Sequence, residues 1–119
     1  MRGDFSRSIR VKSGYTGDSM LLEASKKIKG GKMIKVELEV VKNVIKRMVI
    51  SGDFFAYPPE AIEEIERSVE GHVVDDVIRI IDCYKNRVKF VGVDFNDLKE
   101  LLVSIIEHFK YSDIGGNFI

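Results

Sequence analysis

The stretch MIKVELEVV, residues 33–41, constrains this chain more than any other. Ile34, Val36, Leu38 and Val40 alternate with Lys35, Glu37 and Glu39. Successive side chains of a strand point to opposite faces, so the pattern describes a strand with one apolar and one charged face. Such a strand belongs in an antiparallel sheet with one side on a core and the other in water. The flanking residues extend that sheet. Upstream, MLLEASKKI places Met20, Leu22, Ala24 and Ile28 on one face, and KGGK then signals a hairpin turn, since glycine takes positive φ angles at no steric cost. Downstream, Lys42-Asn43 predicts a tight turn, with Asn43 suited to the left-handed conformation, leading into VIKRMVIS as a third strand.

After Gly52 the apolar period changes from two to about 3.6. EAIEEIERSVE predicts a helix begun by Pro58 and Pro59, with Ile62, Ile65 and Val69 as its apolar stripe and Gly71 as its stop. VVDDVIRIIDCYKN predicts a second helix with Val77, Ile78, Ile81 and Tyr84 inward. RVKFVGV is a connection or a short edge strand. Asp94 or Asn96 then caps a third helix carrying Leu98, Leu101, Leu102, Ile105, Ile106 and Phe109. The expected fold class is α+β: a three-stranded antiparallel meander sheet covered on one face by three helices. Residues 1–18 are expected to form an N-terminal arm, 19–111 the domain and 112–119 a C-terminal tail.

A chain of 119 residues supports one domain with its own core. Nineteen Lys and Arg balance nineteen Asp and Glu, so no net basic field points to nucleic acid or to an anionic membrane. No stretch approaches the roughly 18 apolar residues of a membrane span. The single cysteine, Cys83, excludes an internal disulfide framework and fits a reducing cytoplasm.

Few residues of the sequence are spaced for catalytic chemistry. His72 and His108 have no partner at metal-ligand spacing, so no metal site is expected. Cys83 falls inside a predicted helix as a small, half-buried residue. Glu60, Glu63, Glu64 and Glu66 form a solvated helix face rather than a carboxylate pair with split environments. KGGK lacks the spacing of a phosphate loop and is flanked by strands on both sides. No catalytic residue is assigned.

One junction stands apart: GDFFAYPPEA, residues 52–61. Neighbouring residues on an extended segment point to opposite sides, so one of Phe54 and Phe55 can enter the core while the other faces out beside Tyr57. An exposed aromatic pair of this kind is a natural interface anchor. Core filling and partner binding are both open for this stretch.

Residues 30–71 resemble the accessory domain found at the C-terminus of many lipoate-protein ligases, which in some archaea is a separate small chain. The motifs that carry the resemblance are Gly30-Gly31-Lys32, the alternating strand, Gly52-Asp53-Phe54-Phe55 and YPPEA from Tyr57 to Ala61. A weaker continuation extends it to roughly residues 20–110, and the first 18 residues lie outside it. The resemblance implies a non-catalytic subunit that binds a separate catalytic chain in a cytoplasmic heterodimer. It also implies that this subunit is required for activation of lipoate to lipoyl-AMP, before transfer to a lysine of lipoyl-domain acceptor proteins. Lipoate, ATP and magnesium would be used by the complex, with no cofactor bound by this chain alone. The resemblance further suggests movement of the accessory domain between the two steps.

In an up-down meander, the KGGK tip and the exit of the third strand share one end of the sheet. That end, with Gly30, Gly31, Lys32, Gly52, Asp53, Phe54, Phe55 and Tyr57, is the candidate interface. Lys32 would lie near a phosphate or an acidic partner group, with Phe54 or Phe55 as anchor. The alternatives are an iron–sulfur assembly scaffold or sulfur acceptor using Cys83, whose SufE/NifU-like outline the predicted fold shares, or a stand-alone interaction module.

Overall fold

The computed structural model describes residues 9–28, 30 and 32–117. The alternating segment is realised as β3 (Met33–Val41), between β2 (Ser19–Lys27) and β4 (Val44–Gly52). Met20, Leu22 and Ala24 of β2, Ile34, Val36, Leu38 and Val40 of β3, and Ile45, Met48 and Ile50 of β4 are all buried on one face. In β4 the buried Ile45 and Met48 are three apart, which strict alternation cannot place on one side. A bulge at Lys46 resolves this, since Val40 pairs with Ile45 while Glu39 pairs with Arg47. Lys42 and Asn43 both take positive φ, 50° and 69°, as a two-residue turn matching strand twist requires.

The sheet has four strands, not three. Residues 9–16, expected to belong to an arm, form β1 (Ile9–Thr16) and pair with β2 from Ile9 opposite Lys26 to Thr16 opposite Ser19. Only Ile9 and Val11 of β1 pack on the core, so apolar periodicity hardly marks the strand, and backbone pairing through the Gly17-Asp18 turn holds the rest. The KGGK connection is also longer than a two-residue turn. Residues 28–32 separate the strands, and the Ile28 N–H donates to the Lys32 carbonyl at 2.8 Å.

The helices cover the apolar face. α1 (Ala61–Ser68) lies against β4, α3 (Phe95–Asn117) runs across β1, β2 and β3, and α2 (Val77–Asp82) packs on α3. Ile65, Val69, Val77, Ile81, Leu98, Leu101, Leu102 and Ile105 complete the core. The prolines do not begin α1. They occupy a preceding turn in which the Ala61 N–H donates to the Pro58 carbonyl at 3.0 Å. The second predicted helix is shortened at both ends. Val73 is extended and bridges to Val44, a 3₁₀ turn spans Val74–Asp76, and α2 stops at Asp82. α3 opens with the Asp94 N–H donating to Asp97 Oδ2 at 2.8 Å, half of a capping box, and continues to Asn117 beyond the boundary expected near residue 111.

The outer edge of β4 is closed from two sides. Ile45 exchanges backbone hydrogen bonds with Gly71 and His72, each at 2.8 Å, and the Ile50 N–H donates to Glu66 Oε2 at 2.7 Å. Glu66 therefore seals an edge rather than joining a freely solvated face. On β2 the apolar face ends in Lys26, whose Nζ lies 2.7 Å from Asp97 Oδ1 and 2.6 Å from Glu100 Oε1.

Candidate functional site

The end of the sheet where β4 exits is built on Gly52. Its φ is 151°, and a Cβ placed there would lie 2.2 Å from the Met33 carbonyl oxygen and 2.9 Å from Ile34 Cα. Only glycine permits this approach. Asp53 then ties the exit to the start of β3: its N–H donates to the Met33 carbonyl at 2.9 Å, and its Oδ2 accepts the Met33 N–H at 3.1 Å. A Cβ on Gly92 would sit 3.1 Å from the Asp53 carbonyl oxygen and 3.5 Å from Lys32 Cδ. Lys32, Gly52, Asp53, Phe54 and Gly92 thus converge at one end of the domain. Gly30 lies in the same connection with φ of 87°, and Gly31 is outside the described residues.

The Phe-Phe segment is more than a strand-to-helix junction. Phe55–Tyr57 forms β5, which pairs antiparallel with β6 (Lys89–Val91): Phe55 lies opposite Val91, Ala56 opposite Phe90, and Tyr57 opposite Lys89. Opposed residues in an antiparallel pair share a face, so this ribbon has two distinct sides. Inward, Ala56 is buried and Phe90 is half-buried. Phe54 packs on the core and meets the Phe90 ring edge-on at 5.7 Å and 75°, and Phe95 follows at 6.3 Å from Phe90. Outward stand Phe55, 69% exposed, Tyr57, 56%, and Val91, 45%, together with exposed Lys89. The geometry therefore separates the two phenylalanines, Phe54 to the core side and Phe55 to solvent.

Sequence reasoning named Phe55 and Tyr57 but missed Val91, Lys89 and Gly92. The signal was present in RVKFVGV, where inward Val88 and Phe90 alternate with outward Lys89 and Val91. Pairing with β5, more than thirty positions away, is what makes the pattern matter.

The two histidines and the cysteine are not part of this ribbon. His72 is an exposed loop residue whose carbonyl caps β4, and His108 Nε2 lies 2.9 Å from Ser13 Oγ. Cys83 is exposed at the C-terminal end of α2, not half-buried inside a helix, with Sγ 3.6 Å from the Arg79 carbonyl oxygen. Among the described residues no three His, Cys, Asp or Glu side chains stand together as a metal cluster, and no helix is long and apolar enough to cross a membrane.

A one-sided four-stranded antiparallel sheet beside a two-stranded ribbon with an outward aromatic plate defines an α+β domain. The chain belongs to the family described as the bacterial lipoate protein ligase C-terminus, whose model matches residues 20–102. It is 35% identical over 89 residues to lipoate-protein ligase A subunit 2 of Thermoplasma acidophilum, covering 74% of this chain and 93% of that protein. It is also similar to a solved chain from a study of a bipartite lipoate protein ligase and its E2 lipoyl domain from Thermoplasma acidophilum. The TM-score is 0.62 at 33% identity, covering 71% of this chain and 96% of that one. The family region contains the β5–β6 ribbon and begins after β1.

Proposed function

We propose that this protein is the non-catalytic subunit of a two-chain lipoate-protein ligase. It binds the separate catalytic chain through the outward face of the β5–β6 ribbon in a cytoplasmic heterodimer. The complex activates lipoate with ATP and magnesium to lipoyl-AMP, and the lipoyl group then passes to a lysine of a lipoyl-domain protein. Lipoate, ATP and magnesium act at the catalytic chain. This chain's own part is to hold that chain in its competent state, with Lys32 near an acidic group at the rim. Family membership supports the setting, and the observation that carries the placement is Phe55, Tyr57 and Val91 presented together on a ribbon backed by the core. Aromatic side chains fixed on a rigid element lose little entropy on binding and concentrate in interface hot spots.

The test is lipoate-dependent pyrophosphate release by the catalytic chain, measured with and without this protein. The expected outcome is release that requires this chain and is lost with the double variant Phe55→Ala, Tyr57→Ala, whose circular dichroism stays that of the wild type. Equal release in the absence of this chain would overturn the reading.

A further inference from the structure

Beside the docking plate lies a cleft of about 480 Å³, lined by Lys85, Arg87 and Lys89 from the segment after α2 and by Tyr57, Phe90 and Phe95. Cleft and plate are continuous, because Tyr57 and Lys89 are cross-strand partners and belong to both. The three cations are exposed, and among the described residues none of them lies within 4 Å of a carboxylate. Lys12, Lys26, Lys35, Arg79, Lys99 and Lys110 each have an acidic partner, whereas Lys85, Arg87 and Lys89 share one cleft without one among the described residues. Arg87 is also positioned, its guanidinium carbon 5.2 Å from the centroid of the Tyr84 ring, a cation–π arrangement. Asp94 is the one carboxylate lining the cleft, so three cations against one anion leave a local excess of positive charge in a chain of formal net charge zero.

We infer that the surface received by this end of the domain is an apolar socket rimmed by carboxylates, the rim meeting Lys85, Arg87 and Lys89 while the socket takes Phe55, Tyr57 and Val91. The inference rests on the two-chain reading and assigns the complementary charge to the catalytic chain. Three cations in a neutral chain are too few for the extended basic track that a nucleic-acid backbone demands, whereas an apolar centre with a charged rim is the ordinary anatomy of a protein interface. Rim charges act chiefly on the rate of encounter and its salt dependence, while the desolvated centre sets the rate of departure.

The experiment measures association and dissociation rates of the intact chain with the catalytic chain over a range of salt concentrations. Wild-type association should slow steeply as salt rises. The variant Lys85→Gln, Arg87→Gln, Lys89→Gln should associate about tenfold more slowly at low salt, with a flattened salt dependence and a dissociation rate within about twofold of wild type. Phe55→Ala with Tyr57→Ala should show the converse, faster dissociation with the salt dependence kept. If complex forms but the triple variant associates as wild type does at every salt concentration, the charge assignment is overturned and the two-chain reading survives. If wild type forms no complex, both fall together. Salt-sensitive binding of a single-stranded oligonucleotide by wild type, lost in the triple variant, would also overturn the assignment.

Discussion

Lys26 Nζ lies 2.7 Å from Asp97 Oδ1, so the last inward position of β2 is a cation held by the first turn of α3. Burial by itself would lower the Lys26 pKa. The hydrogen bonds and charges of Asp97 and Glu100 outweigh it, and the pKa is raised above the ordinary value of 10.5. The folded state therefore favours the charged form. The stabilisation is fully present below about 10.5, the unfolded value, and is lost as pH climbs through the higher folded value. Lys26→Met should cost about 1.5–3 kcal/mol near neutral pH, the usual range for hydrogen bonds to charged groups. The stability difference between variant and wild type, followed by urea unfolding, should shrink above that ordinary value.

Gly52 and Gly14 make a paired test of backbone crowding. A Cβ at Gly52 runs into the Met33 carbonyl, whereas one at Gly14 meets nothing within 4 Å. Gly52→Ala should destabilise by about 2–4 kcal/mol, combining steric overlap with an unfavourable φ. Gly14→Ala should stay within about 0.5 kcal/mol of wild type. Chemical denaturation of both variants reads the contrast.

The adjacent phenylalanines should separate fold from binding. Phe54 packs on the core against Phe90, so Phe54→Ala should cost about 2–3 kcal/mol of stability, the lower part of the range for a Phe truncation because the ring is only half-buried. Phe55→Ala should leave the unfolding midpoint nearly unchanged. It should instead weaken binding of the catalytic chain at least tenfold, about 1.4 kcal/mol, as measured by calorimetric titration.

Glu66 accepts the Ile50 N–H on the edge of β4. Glu66→Ala leaves that donor without its acceptor and should cost about 1–2 kcal/mol. Hydrogen exchange should locate the loss, with the Ile50 amide losing more protection than amides in the middle of β3.

The legible parts of the fold were those with strong local periodicity. Ile34 to Val40 declared their face without reference to any other segment, and Leu98, Leu101, Leu102 and Ile105 did the same for α3. The first helix was legible in type but its start was misplaced, because Pro58 and Pro59 serve a turn as readily as a first helical residue. β1 was barely legible, because only Ile9 and Val11 alternate toward the core while most of its side chains face solvent and backbone pairing with β2 defines it. Cys83 was misjudged because α2 ends one residue earlier, at Asp82, and its predicted continuation is a turn.

At the candidate site, the sequence by itself determined that the Phe-Phe-Ala-Tyr segment must split its side chains between two sides. It also carried the glycine-rich connection, the Gly-Asp exit and the family to which they belong. Only the tertiary structure decided which phenylalanine faces out and that Val91 and Lys89 stand beside it. Local alternation records that two faces differ, but not what each one meets. That depends on the pairing of β5 with β6 and on the close approach of Gly52 to Met33, contacts between segments distant along the chain.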